Sequence, residues 1–302
     1  MSDERVPLYN PPASALLYGG PGSGKTFLAC SSFYDYEEGK SIANGKLITF
    51  GVEDNPALDV PEEHRQIGTR GTSLRLVSPR LDSQEFLKTF QKVQVALHEE
   101  NKRGNPVDVV VIDGLSELDL MFQSTTQLQG YDRWNALIDE MFSTVSLMQP
   151  LNIGCPVIIT ARVMEKKEAR FDKDGRETAA GDPDYMNFDY YPSLRGQFRL
   201  HLPHAFSLVL YLETMQTLAK EGPYKGSYAP VHIVNMARTG GFYVKNQWEH
   251  KWMRAGLPLR LANTTWPKLW ERIVSVNKPL AQIARAGEPE EEKPENSNEE
   301  KE

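Results

Sequence analysis

Eight consecutive residues constrain this chain more than any other stretch: Gly19, Gly20, Pro21, Gly22, Ser23, Gly24, Lys25 and Thr26. They fit the pattern G-x-x-x-x-G-K-[ST] without a mismatch. Their flanks fit as well. Residues 13–18 are a candidate apolar strand before the loop, and a helix is expected over residues 25–33 after it. The glycines let backbone N–H groups converge on phosphate oxygens without side-chain obstruction. The start of the helix adds partial positive charge. Lys25 is expected to reach the β- and γ-phosphates of a nucleotide, and the Thr26 hydroxyl to coordinate Mg²⁺. The expected ligand is ATP with Mg²⁺. With both flanks in place, this reading is preferred to a glycine-rich turn that holds nothing.

The rest of the chain alternates strands and helices, which calls for a largely parallel sheet. Strands are expected over residues 46–52, 73–77, 109–112 and 156–161, then late ones over 207–213, 231–236 and 241–245. Phe86, Phe90, Val93 and Leu97 share one face of a helix over residues 83–99. Trp134, Leu137, Ile138, Met141, Phe142 and Val145 do the same over 132–148. A closing helix is expected over 266–275, with Pro267 in its first turn. The expected fold is thus α/β, with a mainly parallel central sheet flanked by helices.

Val109, Val110, Val111 and Ile112 are continuously apolar, as in a strand buried on both faces, and Asp113 ends the run. A carboxylate in that position holds the Mg²⁺ shell of a nucleotide site. The alternative is an aspartate that caps the next turn. Three acids compete for the role of general base, Glu53, Asp54 and Glu117. Thr160 and Arg162 end the following strand, where a γ-phosphate sensor belongs. The plainer reading of each is a polar strand end facing solvent.

At these residues the chain resembles the recombinase-A-like branch of P-loop ATPases. The stretch 47–59, from Leu47 through Glu53 and Asp54 to Asp59, looks like that family's strand ending in its catalytic glutamate. Residues 74–79 are similar to its next strand, and 110–118 to its metal-binding strand and exit. More closely, the chain resembles bacteriophage ATPases of the AAA-family type, some of which are single-strand annealing recombinases. The features that carry this are residues 18–26, Asp113 with Glu117, Trp134, Thr160 and the run 196–212. The resemblance implies catalytic roles for Lys25, Glu53, Asp113 and Thr160, a homo-oligomer, and action on single-stranded DNA. The acidic tail offers a docking peptide for a further expected partner, a single-strand-binding protein, as the alternative to competing with DNA for the basic surface. Two departures stand out. Only twelve residues precede the first strand, which argues against a recombinase-A-type filament. The family's glutamine sensor is also absent, since this strand ends Ile159-Thr160-Ala161-Arg162.

In that family the loop after the sensor strand contacts single-stranded DNA. Here residues 165–199 occupy the place, polar and without a sustained period. They mix cations such as Lys166, Lys167 and Arg170 with aromatics such as Phe171, Tyr185, Phe188, Tyr190 and Tyr191. Cations track phosphates and aromatics stack on bases, so the mixture suits a single strand, although eight acids dilute it. A solvated hairpin and lid, turning at residues 172–175, is the alternative.

Composition sets the remaining limits. The chain has 302 residues, 40% hydrophobic and 25% charged, an ordinary globular balance. Of its net charge of −7, the stretch 288–302 supplies −6, from eight acids and two lysines. The body is therefore near −1, which neither demands nor excludes nucleic acid. The expected organisation is an N-terminal extension (1–12), an ATPase domain (13–275) with a long inserted loop (165–199), and a disordered acidic tail (276–302). No apolar run reaches membrane-spanning length, and no signal-peptide segment opens the chain, so a cytoplasmic place and no membrane partner are expected. Cys30 and Cys155 are expected as buried free thiols. His201 and His204 lack a third zinc ligand. Asn263-Thr264-Thr265 is a sequon only in a secreted protein. Arg238 and Lys245 are candidate trans-acting cations at a subunit interface, or simply exposed.

Overall fold

The computed structural model describes residues 14–49, 60–67, 72–73, 83–125, 130–165, 190–194, 202–218, 225–237 and 243–276. Glu53, Asp54, Arg238, His201, the cations Lys166, Lys167 and Arg170, and the tail lie outside them.

Five parallel strands form the centre: β1 (Ser14–Gly19), β4 (Gly45–Thr49), β7 (Val109–Asp113), β8 (Val157–Glu165) and β10 (Leu208–Leu218). Their order across the sheet is β10-β1-β8-β7-β4. The apolar runs explain why. Leu16, Leu17 and residues 109–112 are fully buried, as parallel strands covered on both faces must be. Antiparallel strands extend one edge: β11 (Tyr228–Asn235) pairs with β10, and β13 (Arg260–Ala262) with β11. β12 (Lys245–Asn246) pairs with the start of β10, and β9 (Tyr190–Pro192) with the end of β8. Two small ribbons lie apart, β2 (Tyr34–Asp35) with β3 (Lys40–Ser41), and β5 (Gln66–Ile67) with β6 (Thr72–Ser73).

Helices cover the sheet. They are α1 (Lys25–Cys30), α2 (Ser83–Lys102), α3 (Leu115–Thr125), α4 (Gly130–Leu147), α5 (Pro150–Ile153), α6 (Glu249–Arg254) and α7 (Trp266–Val276). Phe90, Val93 and Leu97 of α2, and Leu137, Met141 and Val145 of α4, are buried as their spacing requires. Adjacent residues of β4 show two covered faces. Gly45 lies against the Phe33 ring that follows α1, whereas the Lys46 ammonium lies 3.7 Å from the Glu100 carboxylate of α2. Consecutive strand residues point to opposite faces.

Several expected bounds shift. The helix after the loop ends at Cys30, not residue 33, because Ser31 turns its hydroxyl back to the Leu28 carbonyl at 2.7 Å. Of the strand expected over 73–77, only Ser73 is described, in β6. Within the segment 165–199, Glu165 at its start pairs with Tyr190 in the β8–β9 ladder. Cys30 and Cys155 are buried and unpaired, and burial pushes the Cys155 thiol up to about 12. Among the described residues no helix is long and apolar enough to cross a membrane.

Candidate functional site

The glycine-rich loop of residues 19–26 leaves the C-terminal end of β1 and enters α1, as its sequence requires. Gly19 is a steric necessity: a Cβ there would sit 2.1 Å from the Leu212 carbonyl oxygen of β10. Gly24 has φ +84°, which L side chains rarely adopt, and its α-carbon faces the His232 ring of β11. Between them the Ser23 N–H donates to the Gly20 carbonyl at 3.3 Å. The Lys25 ammonium folds back over this loop. It donates to the Gly19 carbonyl at 3.0 Å and to the Gly20 carbonyl at 2.7 Å. Burial pulls its pKa below the ordinary lysine value; the Asp113 and Glu117 carboxylates oppose that shift.

The sheet order sets the rest. β8 lies between β1 and β7, so its residues near Thr160 sit beside both the strand that leads into the loop and the strand that ends in Asp113. Thr26 donates from its hydroxyl to both carboxylate oxygens of Asp113, at 3.1 Å each. Thr160, fully buried on β8, donates its hydroxyl to the same carboxylate and accepts from the Gly114 N–H at 3.1 Å. Lys25, Thr26, Asp113 and Thr160 therefore form one cluster, built from three separate segments of the chain, the start of α1, the end of β7 and β8. Asp113 is no mere turn cap, and Thr160 does not face solvent. Arg162 ends up exposed, its guanidinium paired with Glu117 at the start of α3. Glu117 is close enough to act on Lys25 electrostatically. Glu53 and Asp54 lie outside the described residues; among the described candidate bases, Glu117 lies near the cluster.

Other residues at the site carry no motif. Thr214 of β10 donates to the Gly22 carbonyl at 3.1 Å and lies 3.3 Å from His232 Nδ1. A hydroxyl has one hydrogen, so with both bonds made His232 Nδ1 is the donor to Thr214. Ser116 accepts from the Arg162 N–H at 2.9 Å and donates to the Ser193 carbonyl at 2.9 Å, tying α3, β8 and the exit of β9 together. Nothing in their local sequence marks these residues; strand pairing brings Thr214 and His232 to the loop. Two expectations change in detail. Tyr190, a stacking candidate, has its ring stacked on Tyr211 at 5.9 Å. Lys245 donates to the His204 carbonyl at 3.0 Å.

Thr26 and Asp113 suit Mg²⁺, which takes one or two carboxylates and fills its shell with phosphate oxygens and water. Among the described residues no three His, Cys, Asp or Glu side chains gather as for a metal held by protein alone. Compared with protein-family models and with curated proteins, the chain matches none.

Proposed function

We propose that the chain is a RecA-like P-loop ATPase that binds ATP with Mg²⁺ through residues 19–26, hydrolyses it, and uses the cycle on single-stranded DNA in phage recombination or annealing. The observation that carries the reading is the meeting of Thr26 and Thr160 on the Asp113 carboxylate. A loop that merely turned would not need its hydroxyl aimed at a strand-end acid two strands away. The order β1-β8-β7 supports the RecA-like arrangement, because the sensor position lies between the phosphate loop and the metal-binding carboxylate.

Thr26 and Asp113 would hold Mg²⁺, which neutralises charge on the β- and γ-phosphate oxygens when bound. Lys25 exchanges its bonds to the Gly19 and Gly20 carbonyls for phosphate oxygens. Thr160 orients the Asp113 carboxylate. Glu53, Asp54 or Glu117 takes the proton of the attacking water. The DNA part rests on position. The β8–β9 ladder starts beside Arg162, whose carbonyl accepts from the Ser193 N–H at 2.7 Å. A strand bound by residues 166–189 would thus pull on the ribbon that carries Arg162, which is paired with Glu117 of α3.

The test is ATP turnover across a titration of single-stranded DNA, with Lys25→Ala as control. Turnover is expected to rise with DNA. Lys25→Ala should lose tight ATP·Mg²⁺ binding in calorimetry, because the cation facing the phosphates is gone. Turnover indifferent to DNA would transfer the reading to a DNA-independent switch or assembly ATPase. Binding without any turnover would make the chain a nucleotide-binding module.

A further inference from the structure

A cavity of about 630 Å³ opens beside the phosphate loop, within the range of small-molecule sites. Gly24 and His232 form the end it shares with the loop. From there it runs along the flank of α1 that presents Phe27, Leu28 and Ser31. Lys25 and Thr26 turn the other way, toward the loop carbonyls and Asp113. A molecule with its phosphates at Lys25 and Thr26 would pass Gly24 and Phe27 and enter this cavity with its other end.

The walls have the chemistry of a nucleoside site. Phe27 is 39% exposed on a helix whose next three residues are buried. Its ring lies 4.5 Å from that of Tyr36 at 30°, and Tyr36 meets Tyr34 edge-on at 5.1 Å. Exposed aromatic faces of this kind stack on bases. The charged lining is Asp35 and Glu37 against Lys268, net negative, which disfavours phosphate there and offers acceptors to sugar hydroxyls. At the rim, Asn263 is the non-glycine residue with positive φ among the described residues, +44°. Its side-chain oxygen accepts from the His232 N–H at 2.9 Å, and its own N–H donates to the His232 carbonyl at 2.7 Å. The amide hydrogens of its side chain remain for a ligand. A strained residue clamped to the histidine behind Gly24 fits a ligand-holding role.

We propose that this cavity receives the ribose and purine base of the nucleotide, with Phe27 as the stacking surface and Asn263 as the polar contact that discriminates a nucleoside triphosphate from bare polyphosphate. The proposal rests on the phosphate-loop reading, and the two are separable by experiment. Affinities of ATP and of inorganic tripolyphosphate, each with Mg²⁺, are compared by calorimetry. The wild type should bind ATP about tenfold or more tighter, the scale of one stacked base. Phe27→Ala and Asn263→Gly (glycine tolerates the backbone) should remove most of that margin and keep tripolyphosphate affinity, which also reports that each variant is folded. Equal binding of the two ligands by wild type, or an unchanged margin in folded variants, overturns the proposal and leaves the phosphate loop standing. Binding of neither ligand by wild type overturns both. Photolabelling of the wild type with 8-azido-ATP needs no variant: label within residues 34–37 or 263–268 is expected, and label confined elsewhere overturns the cavity assignment.

Discussion

Lys25 donates to two carbonyls of its own loop, so a phosphate must compete for it. Its pKa is already lowered, chiefly by burial. Phosphate stabilises the charged form and raises that pKa on binding. ATP affinity should therefore fall as pH climbs through the lowered value, at a pH below the ordinary 10.5, with proton uptake on binding in that window. Calorimetry in buffers of different ionisation enthalpy reads this directly; no uptake at alkaline pH would count against Lys25 as the phosphate ligand. The general base is the second residue-scale question. Glu53→Gln should leave ATP binding largely intact and slow hydrolysis about a hundredfold or more, the scale of a lost general base. Normal single-turnover hydrolysis in that variant, with a slow Glu117→Gln, would transfer the role to the acid paired with Arg162. A carboxylate near a strand end or a helix start looks the same in sequence whether it faces water or a nucleotide, so the sequence does not choose between these acids.

Among the elements, α1 and α7 depend on one hydroxyl. Ser31, fully turned inward, donates to the Leu28 carbonyl and accepts from the Trp266 N–H at 2.8 Å. It ends α1 and anchors the first turn of α7. Ser31→Ala should strand the buried Trp266 N–H and cost about 1–3 kcal/mol in chemical denaturation. A cost near zero would mean that another group takes over that N–H. The elements that periodicity announced are the ones that bury a stripe or a continuous run: β7, β8, α2, α4 and α7. α3, absent from the expected elements, carries the same signal, since Leu115, Leu118 and Phe122 are buried at helical spacing. β10 was expected to stop near Glu213, yet it pairs with β11 as far as Leu218. Its last residues are exposed on both faces, so no burial pattern marks them.

For the whole molecule, the test of the DNA reading is the segment between β8 and β9. Replacing Lys166, Lys167 and Arg170 by alanine should weaken single-strand binding about equally for all sequences and flatten its salt dependence, because each phosphate contact releases counterions. Replacing Phe171, Tyr185 or Phe188 should cost about 1–3 kcal/mol with little change in salt slope. Tyr190 is no longer a fair test, since its ring is committed to Tyr211. Fluorescence anisotropy across a salt series separates these effects. Wild-type binding in both sets would make the segment a lid or partner surface and favour a DNA-independent ATPase.

By itself the sequence determined the glycine-rich loop between strand and helix, the α/β class and the buried strand ending in Asp113, because glycine backbone freedom and uninterrupted apolar runs are local properties. It could not determine which strand lies beside which. That pairing is set by packing between segments far apart in the chain, and it alone places Thr160 against Asp113, Thr214 on the Gly22 carbonyl, and His232 with Asn263 at the mouth of a cavity.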